Sequence, residues 1–377
     1  MTETTLPAFD ITDPLPSGTT LLEASAGTGK TWTIGALVTR YVAEGVVTLP
    51  ELLVITFGRA ASREMRERVR DQLVAAEAAL AHPDVHRAGP DPLLRLLTDV
   101  PDEELAARRR RLRTALADFD GATIATTHQF CQTVLRSLGT AGDSDGSAEL
   151  TDDLTALVDQ VVDDLYVAKY AREDDPAMSH GQARELARAV IADPHATLVP
   201  VDADPESSAG VRVRFAQVVR HRLDQRKREL GLLDYDDLLK RLESVLEQAD
   251  SPARSLMRHR WKVVLVDEFQ DTDPVQWNIL DRAFRGVATL VLIGDPKQAI
   301  YAFRGGDVFT YLRAAGTATE RRTLPVNWRS DAPLVDALGR TFSGARLGHP
   351  DIAVRPVRAH HAGSRLRDLP HPAPFRL

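Results

Sequence analysis

The 377-residue sequence is poor in cysteine, in lysine and in long apolar runs, and the first and last of these shortages each exclude a class of protein. The single cysteine, Cys131, rules out an intramolecular disulfide framework and argues against a thiolate zinc site. No apolar run is long enough to span a bilayer, and the opening "MTETTLPAFDITDPLPSG" has neither the basic segment nor the apolar core of a signal peptide. A cytoplasmic protein without a membrane role is therefore expected. Positive charge is nearly all arginine, which makes the few lysines worth locating. The net charge of −7 means that any contact with nucleic acid must come from a local groove rather than from a basic surface. What remains, 43% hydrophobic and 27% charged residues, is the composition of an ordinary globular protein, long enough for two or more domains.

Short β-branched runs recur between helical stretches: "TTLLEAS" (19–25), "ELLVITF" (51–57), "ATIATTH" (122–128), "WKVVLVDE" (261–268), "ATLVLIGD" (288–295) and "RTLPVN" (322–327). Several are apolar nearly throughout, as strands buried on both faces must be, and the helical segments between them predict a parallel sheet in an α/β domain. Between about 140 and 231 the sequence turns acidic and arginine-rich at helical spacing, which predicts an all-α insertion splitting that domain. Residues 76–118, with "RRRRLR" at 108–113, read as a smaller helical elaboration. From Gly344 the chain is rich in proline, arginine and histidine and reads as the start of a further domain, cut short.

The stretch "EASAGTGKTWTI" (23–34) follows the first strand and opens a helix, an arrangement that aims backbone N–H groups and the positive helix end at phosphate oxygens. Its glycines, Gly27 and Gly29, allow close approach of the backbone. Lys30 would reach the β- and γ-phosphates and the Thr31 hydroxyl would ligate Mg²⁺. Ala24 stands where the Walker pattern usually has its first glycine. The second motif, "VVLVDEFQDTD" (263–273), delivers Asp267 and Glu268 at the carboxyl end of an apolar strand, where ligands collect in an open α/β sheet. Asp267 would hold Mg²⁺, and Glu268 would orient and deprotonate the water that attacks the γ-phosphate. Asp273 and Pro274 read as a helix N-cap and first helical position, with a structural role only.

With these two motifs and "LLVITFGRAASREMRERVR", "TIATTHQFCQTVL", "LLDYDDLL", "LIGDPKQAIYAFRGGDVFTYL" and "LPVNWRSDAPLV" in order, the chain resembles the UvrD-like branch of superfamily 1 helicases, and within it the RecB family. The seven stretches cover nearly the whole α/β part. The resemblance implies a P-loop NTPase of RecA-like α/β fold: domain 1A in two parts (1–139 and 232–326), a helical domain 1B between them (140–231), and a truncated start of a second RecA-like domain, 2A (327–377). It implies ATP and Mg²⁺ held at Ala26, Gly27, Thr28, Gly29, Lys30, Thr31 and Trp32, with Trp328 stacking on the adenine. Arg329 would act as an arginine finger and Gln298 as a γ-phosphate sensor. On the DNA side it implies Phe57, His128, Tyr301, Phe303 and Arg304, since stacking on bases is sequence-tolerant and suits a motor that steps over any sequence. For Phe57, Tyr301 and Phe303 a place in the core is the competing reading, and for His128 a satisfied structural histidine.

The paired Asp236 and Asp237 read as a helix start rather than a metal site. "RRRRLR" and the basic stretch 212–228 read either as phosphate contacts or as solvated helix faces. Two departures from the family stand out: no N-terminal glutamine motif of the adenine-reading kind, and "RGGD" with Gly306 in place of the commoner alanine. The implied activity is a DNA translocase or helicase of recombination and double-strand-break repair, acting on single-stranded DNA and DNA ends with RecC-like and RecD-like partners. The later 2A motifs and the nuclease domain of such enzymes are not in these residues. A truncated module that binds ATP or single-stranded DNA without turnover, and a motor acting on RNA, are the alternatives.

Overall fold

The computed structural model describes residues 6–139, 149–151, 153–193, 196–300 and 306–365. In chain order, β1 (Thr19–Glu23) leads into α1 (Lys30–Ala43), and β2 (Leu52–Thr56) into α2 (Arg59–Ala81), α3 (Pro83–Arg87), α4 (Pro92–Thr98) and α5 (Asp102–Ala117). Next come β3 (Thr123–Thr126), α6 (Thr127–Leu138), β4 (Glu149–Leu150), α7 (Thr155–Tyr170), α8 (His180–Ala192), α9 (Ser208–Leu230) and β5 (Leu232–Leu233). After α10 (Tyr235–Val245) and α11 (Pro252–Arg260), β6 (Val263–Val266), α12 (Pro274–Phe284), β7 (Thr289–Gly294), α13 (Val308–Thr317) and β8 (Glu320–Thr323) complete the main sheet. β9 (Val326–Asp331), α14 (Ala332–Phe342) and β10 (Arg358–His361) follow.

The main sheet has six strands in the order β3-β2-β6-β7-β1-β8, and every neighbouring pair is parallel. Its central strands read as continuous apolar runs because both faces are covered. Leu22, Leu52, Val54, Leu265 and Val291 face the core under α1, α2, α4 and α5. Their neighbours Leu21, Leu53, Val264, Val266 and Leu292 face a second core with α6, α10, α11, α12 and α13. The two-residue period of a strand produces this alternation, so the α/β sandwich follows from sequence and pleat together. The parallel α/β expectation is met.

Local signals place the helix starts. Thr126 with Gln129, Ser179 with Gln182 and Asp234 with Asp237 form reciprocal capping boxes for α6, α8 and α10. Asp273 caps α12, accepting from the Gln276 amide at 2.8 Å, with Pro274 at its first position. α7, α8 and α9 pack on one another around Val161, Val162, Ala187, Phe215 and Val219, a core of their own. The ends of this helical part meet in the short parallel pair β4–β5. Among the described residues no helix is long and apolar enough to cross a membrane.

Two sequence expectations resolve differently. The run 322–327 is not one strand: β8 ends at Thr323, Pro325 has no N–H to donate, and β9 pairs with β10 in a separate two-stranded parallel sheet. The arginines of "RRRRLR" are largely committed inside the fold. Arg108 donates to the carbonyls of Leu96 and Leu97, Arg109 pairs with Glu77 at 2.9 Å, and Arg111 reaches the Ala43 carbonyl and Glu104. In the basic helix α9, Arg220 likewise donates to the carbonyls of Val190, Asp193 and Ala196. The first stretch therefore serves largely to tie helices together, whereas in α9 Arg222, Arg226 and Arg228 bond within their own helix.

Candidate nucleotide-binding site

The site forms at the carboxyl ends of β6, β7 and β1, which lie side by side. Ala24 continues β1 by donating to the Gly294 carbonyl at 2.9 Å and is wholly buried. It holds sheet-like pairing, so the position does not need a glycine, which accounts for the departure from the Walker pattern. The loop then turns on itself: the Thr28 hydroxyl donates to the Ser25 carbonyl at 2.7 Å, and Gly27 and Gly29 take φ of 78° and 91°. Gly29 caps α1 with no side chain accepting from the helix, so the first N–H groups of α1 face the cleft as an anion site.

Opposite this loop, Glu268 sits at φ 48°, the one non-glycine residue with positive φ among the described residues. Such backbone strain concentrates at functional sites, where the surrounding structure holds it in place. Here the hold is visible. Lys30 Nζ meets Glu268 Oε2 at 3.0 Å, and Gln270 Nε2 donates to the same oxygen at 2.7 Å. Gln270 in turn accepts from the Asp295 amide at 2.9 Å, and a Cβ at Gly294 would lie 2.7 Å from its Oε1, so the glycine makes room for that bond. Gln298 Nε2 donates to Asp295 Oδ2 at 2.8 Å.

Burial, with the adjacent Glu268 charge, pushes the Asp267 carboxyl up to about 6, and Asp271 is pushed up to about 6 by the same two causes. The acids of this motif thus crowd one another with Lys30 as the nearest counter-charge. Among the described residues no three His, Cys, Asp or Glu side chains converge as a metal cage. One carboxylate and one hydroxyl, Asp267 and Thr31, fit a hard divalent cation that keeps water and phosphate oxygens as its other ligands.

The cleft measures about 380 Å³, and its lining joins Ala26, Gly27, Gly29, Lys30, Thr31 and Trp32 to Glu268, Gln298, Trp328 and Arg329. The chain thus brings together ten of the twelve residues expected at the nucleotide. Thr28 is buried behind the loop, and Asp267 lies beneath Glu268, whose amide donates to Asp267 Oδ1 at 3.0 Å. A larger cavity of about 510 Å³, lined by Leu186, Val199, Val213 and their neighbours, lies in the helical part and carries no titratable group except Arg212.

A residue that sequence reasoning passed over clamps β9 to the loop. Asn327 Nδ2 donates to the Ala26 carbonyl at 3.0 Å, while its Oδ1 accepts from the amides of Arg329 and Ser330. The Trp328 amide donates to the Gly27 carbonyl at 2.8 Å, and its indole lies against His360 with centroids 4.1 Å apart. The signal was present, since Asn327 stands within the quoted "LPVNWRSDAPLV", just before Trp328 and Arg329. A Cβ on Gly27 would stand 2.8 Å from the Arg329 Cβ and 3.0 Å from Asn327 Oδ1, at a left-handed φ. Gly27→Ala is therefore expected to push β9 off the loop and to weaken nucleotide binding at least about tenfold, consistent with a backbone penalty of about 1–2 kcal/mol before the clash is counted. Titration of the variant with ATP checks this.

Of the residues expected at DNA, Phe57 follows β2 and is 38% exposed. His128, in the first turn of α6, lies edge-on to the Tyr235 ring at 5.1 Å, and burial holds its imidazole below the ordinary histidine pKa. Arg59 donates to the Tyr235 hydroxyl and lies over its ring. Tyr235, within "LLDYDDLL", was not singled out from sequence. Tyr301, Phe303 and Arg304 lie outside the described residues.

A family model, the UvrD/REP helicase N-terminal domain, matches residues 10–319. The chain is 58% identical to the RecBCD enzyme subunit RecB of Mycolicibacterium smegmatis and 56% identical to that of Mycobacterium tuberculosis, each over 98% of this chain and 34% of the relative. It is 27% identical to the RecB subunit of Escherichia coli, over 88% of this chain and 38% of the relative. The chain thus spans about a third of the length of these relatives. The loop, the paired acids and the "NWRS" segment around one cleft agree with the match, and the chain belongs to the UvrD/REP helicase N-terminal domain family.

Proposed function

We propose that this chain is the ATP-binding motor part of a RecB-like enzyme of recombination and double-strand-break repair, coupling ATP hydrolysis to movement on single-stranded DNA in the cytoplasm. The observation that carries the reading is the Lys30–Glu268 contact at 3.0 Å across a cleft whose other lining residues suit a nucleotide. Lys30 would exchange Glu268 for the β- and γ-phosphate oxygens, leaving Glu268 to orient the attacking water and take its proton. Gln298 and Arg329 would meet the γ-phosphate, and Trp328 and Trp32 would flank the base and sugar. Thr31 and Asp267 would hold Mg²⁺, which when bound offsets the charge of the phosphates. On our reading residues 1–139 and 232–326 form domain 1A, 140–231 domain 1B, and 327–377 the start of domain 2A. Phe57 and His128, with Tyr301, Phe303 and Arg304, would contact single-stranded DNA or DNA ends, and RecC-like and RecD-like subunits would be the partners.

The test uses the chain's own tryptophans. Trp261 and Trp277 are buried, whereas Trp32 and Trp328 are exposed at the cleft. ATP with Mg²⁺ is expected to change the fluorescence, and Trp328→Phe to remove most of the change. No response up to millimolar nucleotide would sink the reading. Binding with hydrolysis stimulated by single-stranded DNA supports the motor, binding without turnover supports a binding module, and equal stimulation by RNA and DNA homopolymers supports an RNA motor.

A further inference from the structure

At the carboxyl end of β1, just before the phosphate loop, Glu23 is a carboxylate only 3% exposed. Three cations from three different segments approach it. Arg355 Nε donates to Oε1 at 3.0 Å, Lys297 Nζ lies 3.8 Å from the same oxygen, and an Arg321 nitrogen lies 3.9 Å from Oε2. Lys297 also pairs with Asp295 at 2.6 Å; the Asp295 carboxylate holds Gln298, and its amide donates to Gln270. A continuous chain of polar contacts thus runs from Arg355, beside β10, through Glu23, Lys297 and Asp295 to Gln298, and through Gln270 to Glu268. The cluster is not fully satisfied: Glu23 Oε2, Arg321 Nε, the Tyr311 hydroxyl and Lys297 Nζ are buried without a well-formed hydrogen bond, so Lys297 is tied to Glu23 and Asp295 by charge. Buried unpaired polar groups are costly, and a group of them in one place marks an arrangement that improves when something shifts.

We propose that Glu23 is a positioning residue that reports the seating of the β9–β10 segment to the γ-phosphate side of the cleft. It pins Arg355, which keeps Arg329 over the loop, while Trp328 has its own ties to Gly27 and His360. Through Lys297 and Asp295 it also sets the placement of Gln298. The two γ-phosphate groups, Arg329 on one segment and Gln298 on another, are thereby held in register by one buried carboxylate. The proposal rests on the nucleotide reading above.

The experiment measures the affinity of the full 377-residue chain for ATP and for ADP, each with Mg²⁺, by tryptophan fluorescence. Wild type is expected to prefer ATP. Glu23→Gln is expected to lose that preference at least threefold while ADP affinity stays within twofold, because only the γ-phosphate contacts are misplaced. Arg355→Gln, at a side chain 19% exposed, is expected to do the same, and the double variant no more than either single one. Preference retained in Arg355→Gln, equal losses for ATP and ADP, or losses that multiply in the double variant would overturn the inference and leave the nucleotide reading standing. A wild type that binds neither nucleotide overturns the nucleotide reading and this inference together, whereas one that binds both alike overturns this inference alone. Should Glu23→Gln fail to fold, Arg355→Gln and Lys297→Met, read by the same ratio, decide the matter.

Discussion

Lys30→Ala and Glu268→Gln are expected to fail in opposite ways, although the two side chains touch each other. Lys30 is the cation nearest the acids of the second motif, and its ammonium is placed to move onto phosphate. Without it a nucleotide meets an acidic cleft with no counter-charge from α1, and ATP affinity should fall about ten- to a hundredfold, as expected when a hydrogen bond to a charged group worth about 1.5–3 kcal/mol is lost. Glu268→Gln removes one negative charge from that crowd and keeps the side chain's shape and its bond from Gln270 in reach. It should bind ATP as well as wild type or better. Its turnover, where wild type turns over, should drop by about 10² to 10⁴, the usual contribution of a positioned general base. Affinities by tryptophan fluorescence and single-turnover hydrolysis measure both halves. Undiminished affinity in Lys30→Ala, or normal hydrolysis by Glu268→Gln, would contradict the assigned roles.

The candidate nucleotide cleft was legible in the sequence because its parts are local. A strand, two glycines and Lys-Thr define a loop within a few residues, and paired acids after an apolar run define the facing wall. What sequence did not show is how separate motifs are tied together. Asn327 clamps Ala26 from 301 positions away, Gln270 bridges Glu268 to Asp295, and Glu23 gathers Arg355 from 332 positions away. None of these side chains has a spacing signature, since their partners come from other strands of a parallel sheet whose order is not the chain order. The same limit explains the arginines: "RRRRLR" looks like a basic patch until α2 and α4 supply Glu77 and the carbonyls of Leu96 and Leu97.

At the level of fold, the doubly covered sheet was readable because a strand buried on both faces must be apolar at every position, as in "VVLV" of β6. The boundary at 322–327 was not, because β8 and β9 are each short and β-branched residues continue across Thr323. Only the missing N–H of Pro325 hints that the chain there changes sheets. The acid pair Asp236 and Asp237 was placed at a helix start, which α10 bears out, but the residue that gives the motif its weight, Lys227, lies on the preceding helix and was not singled out.

Lys227 carries the largest stability effect expected in the helical part. It stands in the last turn of α9 with its side chain 7% exposed, and its ammonium reaches Asp234 Oδ2 at 2.8 Å and both oxygens of Asp237 at 2.9 Å. Burial by itself would lower the lysine pKa, yet the hydrogen bonds and charges of Asp234 and Asp237 carry it above the ordinary value. The same two aspartates form the capping box of α10, so one lysine joins the end of the helical part to a helix seated in the sheet core. Lys227→Met removes the cation and leaves two partly buried carboxylates facing each other, a change expected to cost about 3–5 kcal/mol. The pH dependence distinguishes this cause from simple loss of packing. With lysine present, Asp234 is held below its ordinary pKa, and that part of the stability is present above the unfolded value and lost as pH falls, whereas burial and the Asp234 charge already hold Asp237 above its ordinary value, with the opposite dependence. In the variant both carboxyls are expected to sit above their unfolded value of about 3.9, so the folded state binds the extra proton and stability rises as pH falls toward that value. Urea unfolding at about pH 8 and about pH 5 should show the penalty largest at the higher pH and reduced at the lower, since the raised carboxyls take up protons between them. Adding Asp237→Asn to Lys227→Met should recover part of it at the higher pH, because the repulsion is gone while the cap to the Asp234 amide can persist. A penalty that is the same at both pH values, or untouched by Asp237→Asn, would mean that Lys227 acts through its methylene stem alone.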